Sequence, residues 1–199
     1  MFRNGASRTI PVVLIIIVMI IAIGALITAG RNLFSDTGES TEQVDVGRDA
    51  LLDTDPSHSV EMTVRGPIVG DEEHHSYQVT VSPSGRNLTT FKGYLESTIK
   101  DHQLSNNTKA YEQFVYALDK ANFMKGDELT GEDNDTRGIC ADGRIYSYSV
   151  IDSGEAVKTL WTSTCSGSRG SLKASSQQLT DLFLDQIPDN KKLLSDLKI

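Results

Sequence analysis

The chain has 199 residues, of which 19 are Lys or Arg and 27 are Asp or Glu, so its formal net charge is −8. An acidic surface repels phosphate, and this composition therefore argues against a nucleic-acid partner. A chain of this length accommodates one domain with a substantial hydrophobic core.

The most apolar stretch, residues 10–30, reads IPVVLIIIVMIIAIGALITAG and contains no charged residue. About 20 apolar residues in a helix cross a hydrocarbon layer about 30 Å thick. The stretch exceeds the apolar region of about 7–15 residues in a signal peptide. It predicts an uncleaved transmembrane helix, although small residues at its end, Thr28 to Gly30, leave a cleaved signal as the alternative.

The charges that flank this stretch predict its orientation. Arg3 and Arg8 precede it, and acidic residues dominate the segment that follows. Basic residues remain on the cytoplasmic side of a membrane. We therefore expect a single-pass protein of the plasma membrane, with residues 1–9 in the cytoplasm and residues 31–199 outside it, extracellular or periplasmic.

The exported part divides into two predicted regions. Residues 31–42 are polar and lack periodicity, which is typical of a flexible spacer. Residues 43–199 form the predicted extracytoplasmic domain. Without Arg3 and Arg8, the exported part retains 17 basic residues against all 27 acidic ones, a formal net charge of −10.

Alternation of apolar and polar residues predicts the strands of this domain. It is clear in residues 59–66 and 77–82 and weaker in residues 87–94. Residues 144–151 and 156–164 predict two further strands, joined by a hairpin turn at residues 152–155.

Helical periodicity is strongest from Thr108 to Phe123, where Lys125-Gly126 suits the end of a helix. Weaker patterns predict helices over residues 43–53, where Gly47 interrupts the pattern, over residues 175–186, and over residues 189–197. Residues 95–106 favour neither a helix nor a strand. The predicted fold class is α+β, with about five antiparallel strands in a meander and hairpin sheet and two or three helices on one face.

The two cysteines predict a disulfide. Cys140 and Cys165 are equidistant from the point between Asp152 and Ser153, so they lie opposite each other in a hairpin centred there. A turn centred on Ser153-Gly154 shifts the register by two residues and leaves the sulfurs as neighbours. A metal site needs more ligands and a redox pair needs Cys-x-x-Cys spacing, and the sequence offers neither.

Two clusters contain weak metal-ligand candidates. Asp133 and Asp135 begin a pattern resembling a calcium loop, but Arg137 occupies a ligand position, which favours a solvated loop. His74 and His75 follow three acidic residues at an expected exposed hairpin tip. Adjacent strand residues point to opposite faces, so we predict no metal site there, and no motif predicts a cofactor.

Three sequons begin at Asn87, Asn106 and Asn134, and they matter only in a host that glycosylates exported proteins.

Four segments together resemble an uncharacterised family of small exported membrane proteins from bacteria with reduced genomes. They read SVEMTVRGPIV, KAYEQFVYALDKANF, RGICADGRIY and LWTSTCSGSRGSLKAS. The resemblance covers most of residues 43–190. It implies an anchored α+β ectodomain and no known activity.

These patterns favour a membrane-anchored, non-catalytic domain that binds a protein or an envelope component. One alternative is a pilin-like subunit of a surface filament, which is disfavoured because residues 10–30 lack an early glutamate. The other is an enzyme whose site is assembled from loops around Asp71, His74 and His75.

Overall fold

The computed structural model describes residues 45–167 and 170–199. Residues Asp45–Ile199 form one compact unit. The four α-helices are α1 (Val46–Leu52), α2 (Thr108–Lys120), α3 (Ser176–Leu184) and α4 (Asn190–Leu194), and a 3₁₀ helix spans Gly131–Asn134. The strands are β1 (His58–Arg65), β2 (His75–Val81), β3 (Gly85–Lys92), β4 (Ser97–Ser105), β5 (Ile145–Asp152) and β6 (Glu155–Ser163).

The strands form one antiparallel sheet in the order β4-β3-β2-β1-β5-β6. The first four strands form a meander, the chain then passes through α2, and the β5–β6 hairpin joins the free side of β1. The predicted α+β class is therefore confirmed, with six strands in the sheet rather than about five.

The additional strand, β4, lies in the segment where the sequence favoured neither a helix nor a strand. It is an edge strand whose residues are mostly exposed. Alternation of apolar and polar residues arises when one face of a strand is buried. Because β4 buries little of either face, its sequence contains no such pattern.

The hydrophobic core lies between the helices and one face of the sheet. Its fully buried sheet residues include Val60, Val79, Leu88, Tyr148 and Leu160. On the helix side, the Phe183 ring packs edge-on against Phe114, with the ring centres 5.3 Å apart. The other face of the sheet is mainly polar, and there Gln78 donates a hydrogen bond to Thr63.

Two helices form differently from the prediction. Helix α1 forms despite Gly47, which is buried against the stem of Lys158, where a β-carbon would lie 2.3 Å from that side chain. Helix α2 ends before Asn122, which adopts a left-handed conformation (φ 60°). The Phe123 amide donates to the Leu118 carbonyl across this turn, so Asn122 ends the helix where Gly126 was expected to.

The predicted disulfide between Cys140 and Cys165 is present, with 5.5 Å between the two Cα atoms. The register that supported its prediction was only approximate. The β5–β6 turn is centred on Ser153-Gly154, and a bulge follows Val150. Continued from the Ile145–Ser163 pair, the ladder places Cys165 opposite Gly143.

The bond forms because a turn over residues 141–143 brings Cys140 back towards its partner. Gly143 fits there because it lacks a side chain. A β-carbon at this position would lie 2.7 Å from the Cys140 sulfur and 2.3 Å from the Thr164 hydroxyl.

The predicted transmembrane helix, residues 10–30, lies outside the residues that the structure describes, as do residues 1–9 and the spacer. Within the described ranges, none of the helices has the length and apolar character needed to span a membrane.

Candidate interaction site

Two connections meet at one end of the sheet, and we call them together the tip: residues 66–74, between β1 and β2, and residues 93–96, between β3 and β4. The Gly93 amide donates to the His74 carbonyl at 2.8 Å. The Tyr94 amide donates to the Asp71 carboxylate at 2.9 Å. These bonds hold the shorter turn against the longer loop.

Tyr94 fastens the two connections through its side chain. Its hydroxyl donates to the Val69 carbonyl at 2.8 Å and accepts from the Val69 amide at 3.2 Å. Its ring stacks on the His74 imidazole, with ring centres 4.1 Å apart and planes inclined by 10°. The tip is therefore ordered by side chains from both segments.

The β3–β4 turn requires glycine at position 93. Gly93 is buried with φ of 75°, and a β-carbon there would lie 3.0 Å from the Asp71 carboxylate. Glu96 also adopts a positive φ, 54°, before β4 begins. This geometry points Tyr94 back over the loop and leaves Leu95 at the apex.

Large apolar side chains are exposed on this ordered base. Leu95 is 93% exposed, the highest value among the exposed large hydrophobic residues of the described chain. Ile68 and Val69, on the neighbouring loop, are 48% and 39% exposed. An apolar group displayed on an ordered turn is typical of a binding surface rather than of a core.

Acidic residues lie in the same two connections as these apolar residues. Asp71, Glu72 and Glu73 follow two of them in the loop, and Glu96 lies beside Leu95, all of them exposed. Glu73 is ion-paired with Lys198 at 3.6 Å, so the tip combines exposed apolar residues with three other exposed acidic ones.

The structure corrects one expectation about the histidines. His74, expected in an exposed hairpin tip, is only 6% exposed. Its Nδ1 donates to the Pro67 carbonyl at 3.2 Å, and Tyr94 covers one face of its ring. It supports the tip from beneath.

His75 begins β2 and alternates with Ser76, so it lies on the same side of the sheet as Tyr77. Its Nδ1 donates to the Glu73 carbonyl at 2.8 Å. His74 and Asp71 instead contact the β3–β4 turn. The contacts of these three side chains stabilise the local backbone, and among the described residues no group of His, Cys, Asp or Glu is arranged to hold a metal ion.

The second pair of metal-ligand candidates lies in the acidic loop that follows α2. Asp135 accepts hydrogen bonds from the side chain and the amide of Arg137, which lower its pKa to about 2. Asp133 lies in the 3₁₀ helix and is exposed. The loop is fixed to β6, because the Trp161 indole donates to Asn134 at 3.0 Å and the Thr159 amide donates to Glu128 at 2.6 Å.

The other two sequon asparagines also have structural contacts. The amide nitrogen of Asn87 donates to Thr89 within β3, and that of Asn106 donates to the Ser82 carbonyl. The amide nitrogen is the atom to which a glycan would be attached.

His58, the first residue of β1, lies near two carboxylates and the Ser57 hydroxyl. The imidazole is buried, with Asp53 at 3.9 Å from Nδ1 and Asp152 at 3.8 Å from Nε2. The carboxylates follow α1 and end β5, so only the folded sheet brings them to the histidine. The contacts within the tip were missed for the same reason.

Comparison with protein-family models finds no match to this chain, and comparison with curated proteins finds no significant match either. The family resemblance and the function inferred from the sequence therefore stay predictions.

Proposed function

We propose that the chain is a membrane-anchored, non-catalytic extracytoplasmic domain that binds a protein or another envelope component through the tip. Leu95 is the observation that carries this proposal. Its side chain is 93% exposed, while the Gly93 and Tyr94 amides beside it are hydrogen-bonded to the neighbouring loop. Because the backbone beside Leu95 is already ordered, binding costs little main-chain freedom there, which favours its use as an anchor for a partner.

The charge of the tip indicates the kind of partner. Asp71, Glu72 and Glu96 are exposed in the same connections, and Glu73 is exposed there but ion-paired with Lys198 at 3.6 Å. We expect a protein partner with an apolar pocket edged by Lys or Arg, since complementary rim charges increase association rate and specificity.

The membrane anchor is part of the same proposal and depends on residues 10–30. Intact-mass measurement of the protein from membranes tests it. A full-length mass supports the anchor, whereas a mass that lacks residues 1–29 indicates a cleaved signal. Removal of a few residues before the apolar stretch would instead indicate a filament subunit. Protease treatment of intact cells tests the orientation, since residues 31–199 should be digested from outside.

The binding proposal is tested in living cells with a photo-crosslinking amino acid. It replaces Leu95 in one variant of the full-length chain and Tyr116 in a control. Tyr116 is 47% exposed on α2, outside the tip. We expect one discrete, saturable crosslinked species from position 95 and none of that mass from position 116.

Equal crosslinking from both positions, or none from position 95, would contradict the proposed binding surface. Substitution of His75 offers a separate check on the enzyme alternative. This half-buried residue donates a hydrogen bond to the Glu73 carbonyl and not to Leu95. If His75→Gln abolishes a cellular phenotype and Leu95→Asp leaves it intact, the binding proposal is wrong.

A further inference from the structure

One of the three sequons differs from the other two in its structural setting. Asn134 is exposed and ends the 3₁₀ helix in the loop between α2 and β5. Asn87 and Thr89 instead lie in β3, which pairs with a strand on each side. The third sequon runs into the start of α2, where Asn107 caps the first turn. Of the three, the sequon at Asn134 alone lies outside the α-helices and the sheet.

The side chain of Asn134 leaves its nitrogen free. The Trp161 indole donates to Asn134 Oδ1 at 3.0 Å, and an indole N–H can only donate, so this bond fixes which end of the amide is the nitrogen. That nitrogen, Nδ2, forms no hydrogen bond with any residue in the described part of the chain. In contrast, Asn87 Nδ2 donates within β3 at 3.1 Å, and Asn106 Nδ2 donates to the Ser82 carbonyl at 2.7 Å. The atom that accepts a glycan is thus free at Asn134 and occupied at the other two sequons.

An enzyme that modifies a sequon must draw its backbone into an active site, so the segment has to separate from the rest of the domain. Asn134 is held to β6 by its bond to Trp161, and Asp135 after it is already extended (φ −77°, ψ 109°). Access to Asn134 therefore requires the opening of a surface loop. Access to Asn87 would require β3 to leave both of its neighbouring strands, which belongs to the global unfolding of the domain.

We propose that Asn134 is the N-glycosylation site of this domain. The inference rests on the proposed export of residues 31–199, because the co-reactant is a lipid-linked oligosaccharide pyrophosphate used by a membrane-bound oligosaccharyltransferase outside the cytoplasm. Asn134 Nδ2 forms a bond to C1 of the first sugar while the bond from that carbon to the pyrophosphate oxygen breaks. The lipid pyrophosphate leaves, one amide proton passes to a base of the transferase, and no atom is oxidised or reduced.

Mass spectrometry of the full-length protein purified from the membranes of its native cells tests the proposal. Trypsin cleaves after Lys125 and Arg137 and releases residues 126–137, in which Asn134 is the only asparagine. We expect this peptide to carry a mass increment of whole sugar units, and its fragment ions to locate the increment at Asn134. An unmodified peptide would overturn the inference. Protease treatment of intact cells shows separately whether the domain is exported, so an exported but unmodified domain leaves the proposed function standing.

Variants at the third position of the sequon separate its recognition from folding. Thr136→Val removes the hydroxyl that a sequon requires, Thr136→Ser keeps it, and both retain the asparagine that bonds to Trp161. We expect complete loss of the increment in Thr136→Val and in Asn134→Gln, and its retention in Thr136→Ser. Thr108→Val is the matched control, because this exposed residue completes the sequon of Asn106 and its loss should leave the increment unchanged. An increment that survives Thr136→Val or Asn134→Gln, or that disappears in Thr108→Val, would overturn the proposal.

Discussion

Reduction of the Cys140–Cys165 bond should destabilise the domain by an amount set by the loop that it closes. The cysteines are 25 residues apart. In the chain-entropy account, closing a loop of this length lowers the conformational entropy of the unfolded chain, which stabilises the native state by about 3.5 kcal/mol at 25 °C. At about 2–4 °C per kcal/mol, the melting temperature should fall by roughly 7–14 °C.

The single tryptophan provides the assay. Trp161 is 2% exposed and packs in a small cluster with Cys140 and Ile145. Urea unfolding of the full-length chain in detergent, followed by its fluorescence, gives the free energy of unfolding with and without reductant. The reduced chain should also show a larger denaturant slope, because its unfolded state is more expanded.

Comparison of oxidised and reduced wild type isolates the cross-link, since both sulfur atoms remain. The double substitution Cys140→Ala with Cys165→Ala should be slightly less stable than the reduced chain, because Cys140 is buried. A difference below about 1 kcal/mol between oxidised and reduced protein would refute the entropic reasoning.

Three further substitutions test other parts of the structure. Gly143→Ala should cost about 1–3 kcal/mol of unfolding free energy through its clash with the disulfide, whereas Gly70→Ala, whose β-carbon would be 3.7 Å from its nearest neighbour, should cost almost nothing in the same urea assay. Tyr94→Phe should lower the free energy of unfolding by about 1 kcal/mol and accelerate hydrogen exchange of the Val69 amide. Unchanged exchange would contradict the hydrogen bonds between the Tyr94 hydroxyl and Val69. Burial raises the pKa of Glu61, so the native state favours its protonated form and loses stability as pH rises from the unfolded pKa through the folded one. Glu61→Gln should therefore be more stable than wild type at pH 7 but not at pH 3, and an equal difference at both pH values would exclude this cause.

The sequence predicted most of the sheet because burial leaves a local pattern. In β1, Val60, Met62 and Val64 alternate with polar residues, since only one face of the strand contacts the core. The helical spacing of apolar residues in α2 has the same origin, because one face of the helix is buried, including Tyr111 and Phe114. Strand β4 leaves no such pattern because it is an exposed edge.

The tip could not be predicted in the same way. Its contacts join residues distant in the chain, such as Asp71 with Tyr94, and no local period records them. One local signal was available: large apolar residues, Tyr94 and Leu95, directly follow a glycine in what proved to be a turn. The disulfide shows the converse, since the pairing was predicted correctly although the turn over residues 141–143, which brings the sulfurs together, was not.

The most direct test of the proposed binding surface compares the affinity of two variants for the partner captured at position 95. Burial of a leucine side chain contributes about 1.5–3 kcal/mol, and each 1.4 kcal/mol is about tenfold in affinity. Leu95→Asp should therefore weaken binding at least tenfold. Its free energy of unfolding should stay within about 0.5 kcal/mol of the wild-type value, because the side chain is exposed. Tyr116→Asp, the matched control on α2, should bind like wild type. Unchanged affinity of Leu95→Asp, or an equal loss in Tyr116→Asp, would contradict the proposal that the tip binds the partner.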